Sequence, residues 1–153
     1  MNSASFSLSS PVGDLYLKIA NEAVVELSWQ ALPQSIGGIT PVEPLLFQQA
    51  KKWLQDYFKK IFYPPPFQLS PSGTPFQQSV WDALLHIPVG KTVTYGEIAQ
   101  ALNTAPRAVG RAVGSNPIPL LIPCHRVVAK KGWGGYSGMG GIETKKQLLA
   151  LER

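Results

Sequence analysis

An α+β fold in two parts is what the sequence predicts: a small N-terminal unit of antiparallel sheet plus helix, then a mainly helical unit containing a helix-turn-helix. Three observations predict it. Residues 6–29 alternate apolar with polar or small side chains, the pattern of strands with one buried face. From Leu46 the apolar spacing lengthens to that of a helix. Beyond a proline-rich break at 63–73 the recurring spacings are helical.

In order, Phe6 to Leu8, Leu15-Leu17-Ile19 and Val25-Leu27-Trp29 read as a three-stranded meander. Pro11-Val12-Gly13-Asp14 and Asn21-Glu22 supply its turns, and Gln30 to Thr40 reads as a loop. Leu46, Ala50, Trp53, Leu54, Tyr57 and Phe58 then form the stripe of an amphipathic helix, with paired lysines on the other face. Tyr63-Pro64-Pro65-Pro66-Phe67 and Ser70-Pro71-Ser72-Gly73 cannot continue a helix, because proline lacks the N–H and fixes its own backbone. The predicted organisation is therefore a scaffold unit over 1–66, a linker over 67–73 and a second unit over 74–153.

The second unit opens with Thr74-Pro75-Phe76-Gln77, which predicts an N-cap, proline at the first helical position and a capping box. Phe76, Val80, Ala83 and Leu84 supply its stripe, and the helix ends near His86. Thr94 to Leu102, with apolar residues at 98, 101 and 102, predicts a short helix that Asn103-Thr104-Ala105-Pro106 breaks. Arg107 to Val113 predicts another, whose small residues Ala108, Gly110 and Ala112 permit close backbone approach, with Arg107 and Arg111 four apart on one face. Helix, turn, basic second helix is a DNA-binding pattern. A closing helix is predicted over Glu143 to Glu152, packed through Leu148, Leu149 and Leu151.

Composition narrows the function. At 44% hydrophobic residues the 153-residue chain has enough apolar surface for a core, so a disordered chain is excluded. No apolar run is long enough to span a bilayer, and residues 1–10 do not resemble a signal peptide. One cysteine forms no internal disulfide and supplies no multi-cysteine zinc site, which points to a cytoplasmic or other intracellular protein with no metal and no cofactor. The formal charge of +5 lies wholly in residues 72–153, which carry nine Lys and Arg against four acids. A basic half calls for an anionic partner, nucleic acid first.

That cysteine is Cys124, in Ile122-Pro123-Cys124-His125-Arg126-Val127-Val128. A proline-rich apolar run precedes it and Gly132-Trp133-Gly134-Gly135-Tyr136-Ser137-Gly138 follows. Stiff backbone before a thiol and permissive backbone after it suggest a positioned nucleophile beside a pocket. Adjacent side chains of an extended stretch face opposite ways, so His125 needs a turn or a bridging water to serve the sulfur. Glu152 reads either as a surface acid or as the carboxylate that orients His125.

Pro123-Cys124-His125-Arg126-Val127, with Gly73-Thr74-Pro75-Phe76-Gln77-Gln78-Ser79-Val80-Trp81 and Arg107-Ala108-Val109-Gly110, resembles the O6-alkylguanine-DNA alkyltransferases, which repair DNA by direct reversal. The resemblance covers residues 73–153, and more loosely 1–72 through Ser10-Pro11-Val12-Gly13. It implies irreversible, single-turnover transfer of a methyl or other alkyl group from guanine O6 to Cys124 after the base is flipped out. Whether O4-alkylthymine is also a substrate stays open.

The resemblance further implies that His125 takes the thiol proton through a water while Glu152 holds the imidazole, and that Tyr95 and the Ser137 N–H face the base. The carbonyls of Cys124 and Val127 would accept from the guanine amine, Asn116 would brace the turn ahead of the cysteine, and Tyr136, Ser137 and Gly138 would line the alkyl pocket. Arg107 would fill the vacated base stack while the second helix enters the minor groove of double-stranded alkylated DNA through Ala108 and Gly110, with Arg111 and Tyr95 also at the DNA. A monomer is implied, with cooperativity along DNA left open. Relatives with an N-terminal zinc site use extra cysteines absent here, and no fused regulator domain is expected. Alkyltransferase-like proteins carry Trp where Cys124 stands. Two other readings compete: a non-enzymatic lesion-binding module with Cys124 as pocket lining, and a Cys-His hydrolase, which would need an oxyanion hole.

Overall fold

The computed structural model describes residues 3–32 and 43–153, which form two compact units, Met1–Pro71 and Ser72–Arg153. Most of the loop expected over Gln30 to Thr40 lies outside the described residues. No helix among the described residues is long and apolar enough to cross a membrane.

In the first unit β1 (Ser3–Leu8), β2 (Leu15–Ala20) and β3 (Ala23–Ser28) form an antiparallel meander in that order. Asn21 and Glu22 both adopt positive φ, the backbone of a tight two-residue hairpin whose twist matches its strands. The pairing slips by one between Lys18 and Ile19. That bulge corrects the predicted third strand: Val24, not Val25, is fully buried, because an extra residue inverts the alternation. α1 (Leu45–Phe58) lays Phe47, Ala50, Trp53, Leu54 and Tyr57 inward, with the Phe47 ring stacked 4.8 Å from Phe6. Leu46, expected in that stripe, is half-buried while Phe47 takes the core position.

Part of the predicted linker is not a free tether. Val24 N–H donates to the Gln68 carbonyl at 3.0 Å, and Ser70 N–H donates to the Val24 carbonyl at 2.8 Å. Gln68 to Ser70 thus line the outer edge of β3, satisfying backbone groups that an edge strand leaves exposed.

The regular elements of the second unit are helices apart from a two-residue parallel pair, β4 (Val93–Thr94) with β5 (Val127–Val128). α2 (Pro75–Leu85) starts in the predicted capping box, with Thr74 and Gln77 bonded reciprocally. Its buried face is Val80, Trp81 and Leu84. Phe76, expected inside, is exposed at the first turn of the helix. Trp81 takes the buried place instead, and its indole N–H donates to the Ala112 carbonyl at 2.8 Å. A Cβ at Gly73 would collide with that indole ring, which explains the glycine just before the cap.

α3 (Tyr95–Ala101) is capped by the Thr94 side chain, which accepts from Glu97 N–H at 3.0 Å. Asn103 turns the chain at positive φ into α4 (Pro106–Gly114). Ile98 and Ala99 carry the buried face of α3, and Ala101 points out, so the helix is rotated from the predicted face. In α4 the buried residues are Val109, Ala112 and Val113. Ala112 therefore serves the core beneath Trp81, and of the small residues only Ala108 and Gly110 remain on the outer side. α5 (Ile142–Leu151) closes the unit through Thr144, Lys145, Leu148 and Leu149, with Leu151 partly exposed and Glu152 as its C-cap.

Candidate active site

Residues 116–127 are an irregular segment buried almost throughout, an arrangement that demands an internal partner for each backbone group. Asn116 supplies two: its Nδ2 donates to the Ile122 carbonyl at 2.8 Å and its Oδ1 accepts from Ile118 N–H at 2.9 Å. The segment ends in a 3₁₀ turn at Cys124–Arg126, with Arg126 N–H donating to the Pro123 carbonyl at 3.1 Å. The turn resolves the adjacency problem posed by an extended stretch. Cys124 faces a cavity while His125 is turned into the protein.

The cavity is about 280 Å³ and is lined by Tyr95, Gly110, Val113, Gly114, Cys124, Gly135, Tyr136 and Ser137. Tyr95, Cys124, Tyr136 and Ser137, all singled out in the sequence, line it together, and so does Gly110, which the resemblance had placed at the DNA. Gly138 does not line this cavity; its carbonyl accepts from Gly141 N–H instead. Gly134, at φ +74°, lets the chain pass the Tyr95 hydroxyl, which would lie 2.8 Å from any Cβ there. A larger cavity of about 480 Å³, bounded by Gly90, Thr92, Val128, Trp133 and Arg153, holds no thiol, histidine or carboxylate side chain, so size alone does not single out a site.

Behind the cysteine lies a buried polar network. His125 Nε2 is 2.6 Å from Glu152 Oε2, with both side chains fully buried. Glu152 is thus buried against His125 rather than lying at the surface. Burial holds the His125 pKa below its ordinary value, against the opposing pull of Glu152. Arg126 Nε donates to Glu152 Oε1 at 2.9 Å, its Nη2 to Oε2 at 3.0 Å, and its Nη1 to the Ile87 carbonyl at 2.7 Å. Removing one partner of such a buried pair costs about 3–5 kcal/mol, because the other charge is left unpaired.

Lys145 is fully buried, and its Nζ donates to the Val127 carbonyl at 2.6 Å and the Gly135 carbonyl at 2.9 Å. It ties the glycine-rich cavity wall to the strand after the cysteine. Burial pulls its pKa down to about 8, with neighbouring Cys124 acting the other way. Burial also pushes the Cys124 thiol up to about 11, while the Asn116 hydrogen bond and the Lys145 charge favour the thiolate. A neutral thiol is a poor nucleophile, so any reaction at this sulfur would call for a base.

Arg107 and Arg111 lie exposed on α4 and Ala108 is partly exposed; none of the three lines the cavity. Val127 and Asn116, expected in the pocket, do not line the cavity either; the Val127 carbonyl accepts from Lys145. The sequence reading missed Arg126 and Lys145. Arg126 stood inside the quoted motif but offered no sign of its partner, 26 positions away. Lys145 looks like any surface lysine of an amphipathic helix, and only the fold shows it buried.

Residues 75–153 match the family model described as 6-O-methylguanine DNA methyltransferase, DNA binding domain. A Mycobacterium tuberculosis methylated-DNA–protein-cysteine methyltransferase is 41% identical over 152 residues, covering 96% of this chain and 90% of that protein. A Methanocaldococcus jannaschii protein of the same name is 56% identical over 78 residues, 51% of this chain and 46% of its own length. The match thus spans about half the length of that relative. Among solved structures, Mycobacterium tuberculosis OGT in complex with DNA superposes with a TM-score of 0.83 at 39% identity, covering 99% of this chain and 93% of that one. An O6-methylguanine DNA methyltransferase from Methanococcus jannaschii gives 0.72 at 33% identity, covering 97% and 93%.

Proposed function

This chain belongs to the 6-O-methylguanine DNA methyltransferase family, and we propose that it repairs alkylated DNA by moving the alkyl group from guanine O6 onto Cys124. The observation that carries the reading is a thiol opening on a cavity with a buried His125–Glu152 pair at 2.6 Å beside it.

The thiol proton passes through a water to His125, and the thiolate attacks the alkyl carbon in line with its bond to O6. The S–C bond forms as the C–O6 bond breaks, and the electron pair stays on guanine. Guanine then regains a proton, leaving normal base and an S-alkylated cysteine. Charge developing on the base calls for donors aimed at it, and the Tyr95 hydroxyl and Ser137 N–H take that role. Lys145 favours the thiolate by its charge and holds the Gly135 side of the cavity. The thioether has no route back to a thiol, so each chain acts once.

Guanine O6 is inside the duplex, so the nucleotide is flipped out at a cost of a few kcal/mol. α4 enters the minor groove over Ala108 and Gly110, Arg107 fills the gap in the stack, and Arg111 contacts the backbone. Residues 74–153 carry DNA binding and chemistry, and residues 1–66 act as scaffold. The protein works as a monomer.

The test is a titration of duplex containing one O6-methylguanine against protein, followed by nucleoside analysis. One guanine restored per chain, with no further conversion, supports the proposal. Continuing turnover, or no conversion at all, overturns it.

A further inference from the structure

With Nε2 held by Glu152, imidazole can take the thiol proton only if Nδ1 is the basic nitrogen and Nε2 carries the hydrogen. The contact between His125 Nε2 and Glu152 allows two arrangements. An ionised Glu152 accepts from Nε2–H, leaving Nδ1 basic. A protonated Glu152 donates to Nε2 instead, which puts the ring hydrogen on Nδ1 and blocks the relay. Both side chains are fully buried, and burial alone favours the second arrangement because it penalises the charged carboxylate.

Arg126 reverses that preference. A guanidinium has five N–H donors, no acceptor, and keeps its charge. Two of its donors lie on the two oxygens of Glu152 at 2.9 and 3.0 Å, and a third is fixed on the Ile87 carbonyl at 2.7 Å. Gly90 N–H also points at Oε1, at 3.5 Å. Such a fork stabilises a carboxylate far better than a carboxylic acid. The ring itself stays neutral: burial, Arg126 and Lys145 all oppose its protonation, and only Glu152 favours it.

Resting on the alkyl-transfer reading, we propose that Arg126 is a positioning residue: by holding Glu152 ionised, it selects the His125 tautomer with hydrogen on Nε2 and Nδ1 as the base. Arg126 touches neither thiol nor substrate in this role. It acts through Glu152, then through His125.

The experiment is ¹⁵N NMR of the histidine rings in the full chain without DNA, with the His86→Gln variant assigning the signals. The wild type is expected to show neutral His125 with hydrogen on Nε2 at neutral pH. Arg126→Met is expected to move the hydrogen to Nδ1 and to slow single-turnover methyl transfer on the order of 10²-fold, the scale of a lost general base. Its rate should climb with pH as Glu152 ionises. Arg126→Lys, with the charge but one donor group, should restore part of both. A wild type with hydrogen on Nδ1 overturns the proposal whatever the variants do. So does a folded Arg126→Met that keeps the Nε2–H tautomer or reacts within twofold of wild type. Should Arg126→Met not fold, the wild-type tautomer and Arg126→Lys decide. Failure of the transfer reading looks different, as wild-type protein that accepts no methyl group regardless of tautomer.

Discussion

In the N-terminal unit the buried acid Asp56 accepts from the Tyr63 hydroxyl at 2.7 Å and the Lys52 ammonium at 2.9 Å. In the C-terminal unit Glu152 accepts from Arg126 and contacts His125, beside a buried lysine and a cysteine that opens on a cavity. Both carboxylates are paired, yet the pairs do different things. Asp56 ties the end of α1 to Tyr63, whose carbonyl also accepts from Trp53 Nε1 at 2.7 Å, so its partners close a local corner of the fold. Glu152 instead reaches residues 26 and 27 positions away, the two that directly follow the cavity-lining Cys124 in the chain. A buried charge that only fastens structure can be lost at the expense of stability. One that sets a proton's position cannot be lost without changing chemistry.

Substitutions can break that contrast, and the largest effect is expected at the nucleophile. Cys124→Ala should abolish methyl transfer while gel-shift affinity for lesion DNA stays within a few-fold. Residual transfer in that variant would move the reaction elsewhere. Lys145→Met comes next. It strips donors from the Val127 and Gly135 carbonyls, each costing about 1–3 kcal/mol if left unpaired. It should slow transfer by more than tenfold in a single-turnover assay, and a rate within twofold would reduce Lys145 to a structural tie.

A smaller and more selective loss is expected from Arg107→Ala. Transfer from duplex should fall roughly tenfold, about 1.4 kcal/mol, while transfer from the free O6-alkylated base is unchanged. Equal losses on both substrates would remove Arg107 from base flipping. The smallest effect belongs to the other unit. Asp56→Asn should lower the melting temperature and leave the transfer rate alone. A slowed reaction there would erase the distinction between the two carboxylates.

Acid sharpens the same comparison. The folded His125 pKa is depressed below 6.5, so its neutral form, and the stability that depends on it, are present above 6.5 and lost as pH falls through the folded value. Transfer rate and stability measured together should be level at neutral pH and decline below 6.5. Asp56, held below its ordinary value of 3.8 by Tyr63 and then Lys52, should contribute its own loss only in stronger acid.

Local signals were the legible ones. The capping box at Thr74, the turn at Asn21-Glu22 and the break at Asn103 depend on neighbouring residues, so their chemistry is written in a few consecutive letters. The bulge between Lys18 and Ile19 was not, because a one-residue slip depends on the partner strand. Rotation of α3 and inward placement of Phe47 and Trp81 likewise follow from what each helix packs against. At the site, Cys124, His125 and Glu152 stood out in the residues themselves, and Tyr95 by resemblance. The burial of Lys145 and the fork of Arg126 on Glu152 join distant positions and leave no mark in composition or periodicity.

The most direct measurement is intact-protein mass spectrometry after mixing with duplex bearing one O6-methylguanine, followed by peptide mapping. One methyl group per chain, confined to the peptide holding Cys124, is the expected result. Methyl gain at another residue, or none despite tight binding to the lesion, would contradict it and leave a protein that recognises alkylated DNA without repairing it through this thiol.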